Sequence, residues 1–423
     1  MTPKQKQKNE ANETEDFLSF KRGNILTKEG KLKEAIKEYQ KAIDLNFKSS
    51  QYHFQLGTVF SKQGQWSEAV KCYRNTIQVD PKFAIAYCNL GDALSRVSEP
   101  DRDRKDEIES CYKKAIEIDP DLAKAYQRLG DLLTQKRNIK EAISCYKTAS
   151  QKQIAKLNPK FCEHNSTSSP VKKPDFAIIG SMKCGTTSLY EYIAKHPDFL
   201  PCINKEIHFF STKFWLGVDW YLAQFPSLPQ GENFFTGEAS TSYFDYPDVS
   251  KRINEFFPEM KIIILLRNPV HRAFSHYNHV KKQHPGKELR SFEEAIDEEI
   301  NAIEKSNFYS SLKLEYLNKP YGYLEYGYVV RGLYLYFLKS WLSYFSREKI
   351  FIVKSEDFYQ DPEKTTSEVL NFLGVSNLKL DRYIKYNAGS YNTKKASAPS
   401  QLTKFFEVHN KKLEKYLGID LNW

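Results

Sequence analysis

No run of eighteen apolar residues occurs in this chain of 423, so no segment has the length and hydropathy of a membrane-spanning helix. Residues 1 to 16 are polar and charged and hold no apolar core of a secretion signal. A soluble, cytoplasmic protein without a membrane partner is expected. The seven cysteines form no C-x-x-C pair and fall at no metal-ligand spacing. That argues against zinc and thiol-redox classes, and no metal is expected. Net charge is nearly missing from the second half: residues 175–423 carry 31 Lys and Arg against 30 Asp and Glu, whereas residues 1–174 carry 32 against 23. An anion site in the second half must therefore be local. The surplus in the first half reads as solvated helix surface, and no nucleic-acid partner is expected.

What is present begins with a period. Gly23, Gly57, Gly91 and Gly130 lie 34, 34 and 39 residues apart, and each is followed by a second helical stretch carrying a small residue and a tyrosine. The pairs are Ala35/Tyr39, Ala69/Tyr73 and Ala142/Tyr146; the third copy keeps Tyr112 and Ala115 but has Ile108 at the alanine position. Asp80-Pro81 and Asp119-Pro120 close two of the copies. The pattern resembles the tetratricopeptide repeat (TPR), in which two antiparallel helices meet through small residues and successive units stack. Four units are expected, at 16–49, 50–83, 84–122 and 123–156, with a five-residue insertion near Ser98. Cys72, Cys111 and Cys145 each precede the tyrosine and read as reduced core residues. The resemblance implies a concave groove for a protein or peptide partner. Residues 157–174 lose the period and gather Ser, Thr and Pro, which marks a linker.

From residue 175 on, strand-like and helix-like stretches alternate, as in a mostly parallel sheet covered on both faces. Strands are expected at Phe176–Ile179, Phe234–Thr236, Lys261–Leu266 and Ile350–Val353, with helices starting near Thr186, Asp219, Tyr246, Val270, Phe292, Val330 and Pro362. The first strand runs into Gly180-Ser-Met-Lys183-Cys184-Gly185-Thr186-Thr187-Ser188 and a helix. A strand turning sharply into a helix N-terminus aims free backbone N–H groups and the positive end of the helix dipole at one small volume, which suits phosphate or sulfate. Lys183 adds a charge, and the hydroxyls of Thr186, Thr187 and Ser188 add donors. Cys184 offers either a thiol of lowered pKa or its backbone alone. A nucleotide triphosphatase loop places its Lys after the second Gly, followed by a magnesium-binding Ser or Thr. Here Lys183 precedes Gly185. Farther on, a buried strand ends in Arg267, Pro269 starts a helix, and Ser275 lies two turns in.

The loop resembles the 5′-phosphosulfate loop of sulfotransferases that use 3′-phosphoadenosine 5′-phosphosulfate, and Arg267 with Ser275 resembles their 3′-phosphate site. Lys205-Glu206-Ile-His208-Phe-Phe resembles the segment carrying the catalytic carboxylate in the heparan sulfate sulfotransferases and their bacterial relatives. Gly237-Glu-Ala-Ser-Thr-Ser-Tyr243 and Arg331-Gly-Leu-Tyr match the family in order, and the likeness spans about 175–423. The resemblance implies Lys183 as the cation for the leaving oxygen and Glu206 as general base. His208 is its rival, because cytosolic small-molecule sulfotransferases use a histidine there. It also implies that the loop holding Lys394 and Lys395 closes over the nucleotide, although the family's frequent Arg-Tyr-Pro ending is missing here. Lys205 is either a donor to the transferred group or a surface charge.

The expected architecture is an α + α/β two-domain chain. A disordered polar stretch (1–15) precedes a TPR α-solenoid (16–156), a linker (157–174) and a P-loop-like α/β sulfotransferase domain (175–423). The expected activity moves a sulfuryl group to a saccharide or peptide acceptor, with no metal. Two other classes compete: a kinase-like phosphoryl transferase, disfavoured by the position of Lys183, and a scaffold protein with an inactive nucleotide-binding half.

Overall fold

In the computed structural model the described residues are 14–97, 102–157, 173–227, 234–284, 286–305, 327–386 and 400–423. The chain divides into two compact units, Met1–Glu163 and His164–Trp423.

The first unit is a run of helix pairs: α1 (Glu15–Lys28) with α2 (Leu32–Leu45), α3 (Ser50–Lys62) with α4 (Trp66–Val79), α5 (Ala84–Val97) with α6 (Arg102–Ile118), and α7 (Ala123–Gln135) with α8 (Ile139–Leu157). The expected insertion at residue 98 lies outside the described residues. The repeat has a steric cause. A Cβ added at Gly23, Gly57, Gly91 or Gly130 would stand 2.7, 2.9, 2.6 or 2.9 Å from a ring carbon of Tyr39, Tyr73, Tyr112 or Tyr146. Each glycine thus clears a slot for the tyrosine of the next helix. Ala35, Ala69 and Ala142 are wholly buried beside those rings, and Ile108 replaces the alanine in the third pair at 1% exposure. Three of the tyrosine hydroxyls end on a polar residue one position after the glycine: Asn24 at 2.8 Å, Asp92 at 3.1 Å and Asp131 at 2.8 Å. Burial pushes the thiols of Cys72 and Cys111 up to about 12, as suits apolar filling of the core.

The second unit is built on a four-stranded, all-parallel sheet of order β2-β1-β3-β4. The strands are β1 (Phe176–Gly180), β2 (Gly237–Ala239), β3 (Lys261–Leu266) and β4 (Ile350–Lys354). β1 and β3 lie at the centre and are buried on both faces, which explains their continuous apolar runs. The second strand lies three residues later than the expected Phe234–Thr236. Phe235 makes only a single bridge, to Phe199, while Gly237 takes the ladder position opposite Phe176. A Cβ at Gly237 would come within 2.6 Å of Phe176 O, so the close approach of the strands selects the glycine and sets the register.

The helices are α9 (Thr186–Ile193), α10 (Phe209–Thr212), α11 (Val218–Leu222), α12 (Val249–Phe256), α13 (Pro269–Gln283), α14 (Phe292–Lys305), α15 (Tyr334–Tyr344), α16 (Ser355–Gln360), α17 (Pro362–Leu373) and α18 (Ser400–Leu417). Val330 opens a short 3₁₀ turn, Val330–Gly332, and the helix expected there starts at Tyr334. The helix expected near Tyr246 starts at Val249, after Asp248 in the left-handed region. Pro269 occupies the first turn of α13, and Asn268 caps it by accepting from Val270 N and His271 N, a pairing of cap and proline that sets where this helix begins. Among the described residues no helix is long and apolar enough to cross a membrane.

Candidate active site

The anion loop sits at the C-terminal end of β1, between a buried strand and α9. Three consecutive features force its shape. Gly180 has φ +148, and a Cβ there would meet Leu265 O at 2.6 Å. Lys183 has φ +74 although it carries a side chain. Gly185, the residue before α9, has φ +98, and its missing Cβ leaves room for Tyr359 Oη, which would otherwise be 2.6 Å away. A non-glycine residue in the left-handed region costs on the order of 1 kcal/mol, and such strain gathers at functional loops. The first helical hydrogen bond of α9 closes at Leu189 N, onto Gly185 O at 3.2 Å. The N–H groups of the preceding turn therefore face out of the helix end.

Two cations meet at this loop. Arg267, leaving β3, donates from Nη1 to Lys183 O at 3.2 Å. Burial, and then the charges of Arg267 and Lys282, lower the pKa of Lys183. Among the described residues no carboxylate forms an ion pair with Lys183 or Arg267. Lys183, partly buried and repelled by Arg267, and Arg267 itself stand beside the N-terminal turn of α9, an arrangement whose electrostatics favour an anion. Ser275 lies on α13, next to His276, and is buried at 2% exposure.

The sequence left open what the loop residues do individually. Cys184 is fully buried and its thiol is pushed up to about 12 by that burial, so the reading of a lowered pKa is corrected: desolvation outweighs the nearby arginines. Its carbonyl accepts from Ser355 Oγ at 2.6 Å. The Ser188 hydroxyl is buried and accepts from Tyr386 N at 3.1 Å. Thr187 Oγ1 accepts from Lys205 Nζ at 2.7 Å, which turns Lys205 into a tie between two loops. Lys394 and Lys395 lie outside the described residues. A cation that spacing alone did not single out, Lys385, stands with Nζ 3.9 Å from the centre of the Tyr359 ring. Burial and the charge of Arg267 lower its pKa.

Facing the anion loop is the segment Lys205–His208. Glu206 Oε1 lies 3.4 Å from Lys205 Nζ, and its Oε2 lies 3.4 Å from His208 Nε2. Its side chain is 39% exposed, so the carboxylate reaches solvent. Partial burial pushes the Glu206 pKa up, but the His208 hydrogen bond and the Lys205 charge outweigh it, leaving the group below the ordinary carboxylate range. His208 has φ +57 and is held by the strand β2 segment: its N–H donates to Ser240 Oγ at 3.2 Å, and Nδ1 lies 2.8 Å from Ser242 Oγ. Beneath them Glu238 is fully buried, with Tyr221, Tyr243 and Ser240 hydroxyls donating to it at 2.7, 3.1 and 2.6 Å. These supports were legible only as an ordered motif, since Glu238, Ser240 and Ser242 share a period of two but gain meaning only from what faces them. On α13, burial lowers the His279 pKa, and the charges of Lys183, His284 and Lys282 lower it further while Glu206 opposes them. Among the described residues no group of three or more His, Cys, Asp or Glu side chains is arranged to hold a metal ion.

The profile of the sulfotransferase domain matches residues 173–418. The chain belongs to the sulfotransferase domain family. TPR profiles match the first unit at residues 23–64, 59–97 and 111–144, so this is a sulfotransferase domain preceded by TPR repeats. The membrane-associated sulfotransferase kil1 of Dictyostelium discoideum is 27% identical over 312 residues, covering 59% of this chain and 66% of that protein. The bifunctional heparan sulfate N-deacetylase/N-sulfotransferase 4 of Mus musculus is 30% identical over 210 residues, 48% of this chain and 22% of its own length. The chain thus matches less than two thirds of either relative. A crystallised sulfotransferase from Alicyclobacillus acidocaldarius is 31% identical, with a TM-score of 0.48, covering 60% of this chain and 98% of that one.

Proposed function

We propose that the protein transfers a sulfuryl group from 3′-phosphoadenosine 5′-phosphosulfate to a hydroxyl or amine of a saccharide or protein acceptor, and that its TPR repeats recruit the acceptor or a partner protein. The observation that carries this reading is the tie between two loops: Lys205, the residue before Glu206, donates to Thr187 on the anion loop. A candidate base and a candidate oxyanion site thereby belong to one rigid arrangement, as in-line group transfer requires. In this reading the backbone N–H groups at Gly185 to Thr187 hold the 5′-phosphate. Lys183 meets the charge growing on the leaving oxygen, Arg267 and Ser275 hold the 3′-phosphate, and Glu206 takes the acceptor's proton. A phosphoryl transfer reading is weaker, because Lys183 precedes Gly185.

Calorimetry with 3′,5′-diphosphoadenosine and 5′-AMP tests the donor assignment. The diphosphate is expected to bind about 10–100-fold more tightly, the size of one or two charge-assisted hydrogen bonds, and Arg267→Ala should erase most of the difference. Equal affinities in the wild type would remove the basis of the donor assignment.

The proposed domain division has its own test. Residues 175–423 expressed alone should bind the diphosphate as the full chain does, while sulfur-label transfer to acceptors in extracts of the source cell falls. Loss of folding or of nucleotide binding in the truncated protein would make the repeats a structural part of the enzyme.

A further inference from the structure

Three consecutive residues, Ile384 to Tyr386, are fastened across the helix that follows the anion loop. The Ile384 carbonyl accepts from Tyr192 Oη at 2.9 Å, and Tyr386 N donates to Ser188 Oγ at 3.1 Å. The rings of Tyr383 and Tyr386 pack on Tyr192, with centroids 5.1 and 6.3 Å away. Between the two hydrogen bonds stands Lys385. Its ammonium rests on the face of Tyr359 from α16, 3.9 Å from the ring centre, as a cation rests on an aromatic quadrupole. The hydroxyl of the same tyrosine fills the space that a Cβ at Gly185 would need, 2.6 Å away. A single tyrosine therefore separates the ammonium from the turn that opens α9. Among the described residues no carboxylate forms an ion pair with Lys385, whereas Lys354 pairs with Asp357 at 3.5 Å and Lys379 with Glu363 at 3.0 Å.

We propose that Lys385 is a further donor-binding residue, a third cation beside Lys183 and Arg267 that meets the 5′-phosphate of the nucleotide at the turn before α9. This deepens the sulfotransferase reading above and rests on it. The choice of phosphate follows from the anchors. Tyr192 and Ser188, which hold the residues on either side of Lys385, both belong to α9, and the ring beneath the ammonium abuts Gly185. The aromatic shelf also suits the task. A lysine stem has much rotamer freedom to lose when it is fixed, and the ring holds it near the turn without using any of the three ammonium N–H groups. All of them stay available to phosphate oxygens. The neighbouring charge favours the same outcome, because burial and then Arg267 make the ammonium costly where it stands, and an arriving anion relieves both cations at once. In a half of the chain with 31 Lys and Arg against 30 Asp and Glu, three cations around one turn are a local concentration of charge that suits a multiply charged nucleotide.

Calorimetry on the full chain with 3′,5′-diphosphoadenosine, 5′-AMP and 3′-AMP tests the assignment one phosphate at a time. Lys385→Met keeps most of the apolar stem and removes the charge. Affinity for the diphosphate and for 5′-AMP is expected to fall by the same factor, about 10-fold, the lower end for a hydrogen bond between charged groups because the lysine is solvent-accessible. Affinity for 3′-AMP should not change. Lys385→Arg, which keeps a cation on the same shelf, should recover most of the loss. An unchanged affinity for 5′-AMP in Lys385→Met, or an equal loss with 3′-AMP, overturns the proposal. The two readings fail separately. A wild type that binds the diphosphate no better than 5′-AMP, while Lys385→Met still weakens 5′-AMP, leaves Lys385 in place and sinks the donor assignment. Tight, selective binding of the diphosphate that Lys385→Met does not touch does the reverse.

Discussion

Glu206→Gln is expected to lower sulfuryl transfer by about 10²–10⁴-fold, the usual share of a general base, while binding of the donor product barely changes. The amide keeps the shape of the carboxylate and its hydrogen bonds but cannot take a proton. In the proposed reading the carboxylate faces the acceptor, whereas Lys183, Arg267 and the α9 end would hold the nucleotide. The pH dependence has a definite sign. Because the His208 bond and Lys205 hold the Glu206 pKa below its ordinary value, the base stays ionised as the solution becomes mildly acidic. The acid limb of turnover should therefore lie below the range usual for a free carboxylate. His208→Ala is the companion variant. A modest loss there beside a deep loss in Glu206→Gln is the expected pair; near-normal transfer in Glu206→Gln with a dead His208→Ala would give the base to the histidine.

Lys183→Ala is expected to damage two quantities at once. Turnover should fall by about 10²–10³-fold, the cost of removing one preorganised stabiliser of transition-state charge, and affinity for 3′,5′-diphosphoadenosine should fall by about 10–100-fold. Both follow from the same placement: the ammonium is partly buried, repelled by Arg267 and Lys282, and gains when an anion relieves that repulsion. Lys183→Arg should not rescue fully, because a planar fork does not replace a compact charge in a strained turn. Rapid-mixing turnover with labelled donor and calorimetry measure the two effects separately. A Lys183→Ala protein that loses affinity but keeps its rate constant would show that the lysine only holds the nucleotide.

The elements that were legible in advance share one property: they are written in local, periodic or contiguous residues. The TPR register shows in glycines 34, 34 and 39 residues apart because each must clear space for the tyrosine of the next helix, 16 residues on in three copies and 21 in the third. β1 and β3 show as apolar runs because a parallel central strand is buried on both faces. Lys183, Gly185 and Arg267 show because strand-to-helix turns need glycine and leave their mark within ten residues. The strand expected at Phe234–Thr236 went astray for the converse reason. Its apolar residues mimic a strand, and only the clash a side chain at Gly237 would make with Phe176 fixes the true pairing.

By itself the sequence determined the two-part division of the chain, the helix pairs of the first part, the parallel α/β character of the second, and the candidates Lys183, Glu206, His208 and Arg267. The tertiary structure alone decided what these candidates face. It tied Lys205 to Thr187 across 18 residues, brought Arg267 onto the Lys183 carbonyl across 84, and set Ser242 against the His208 ring across 34. The reason is physical. Helix periodicity, strand burial and turn strain are properties of neighbouring residues, so the order of residues records them. The charge and protonation of a side chain depend on the groups within a few ångströms, and here those groups arrive from distant strands and helices that meet only when the sheet is assembled.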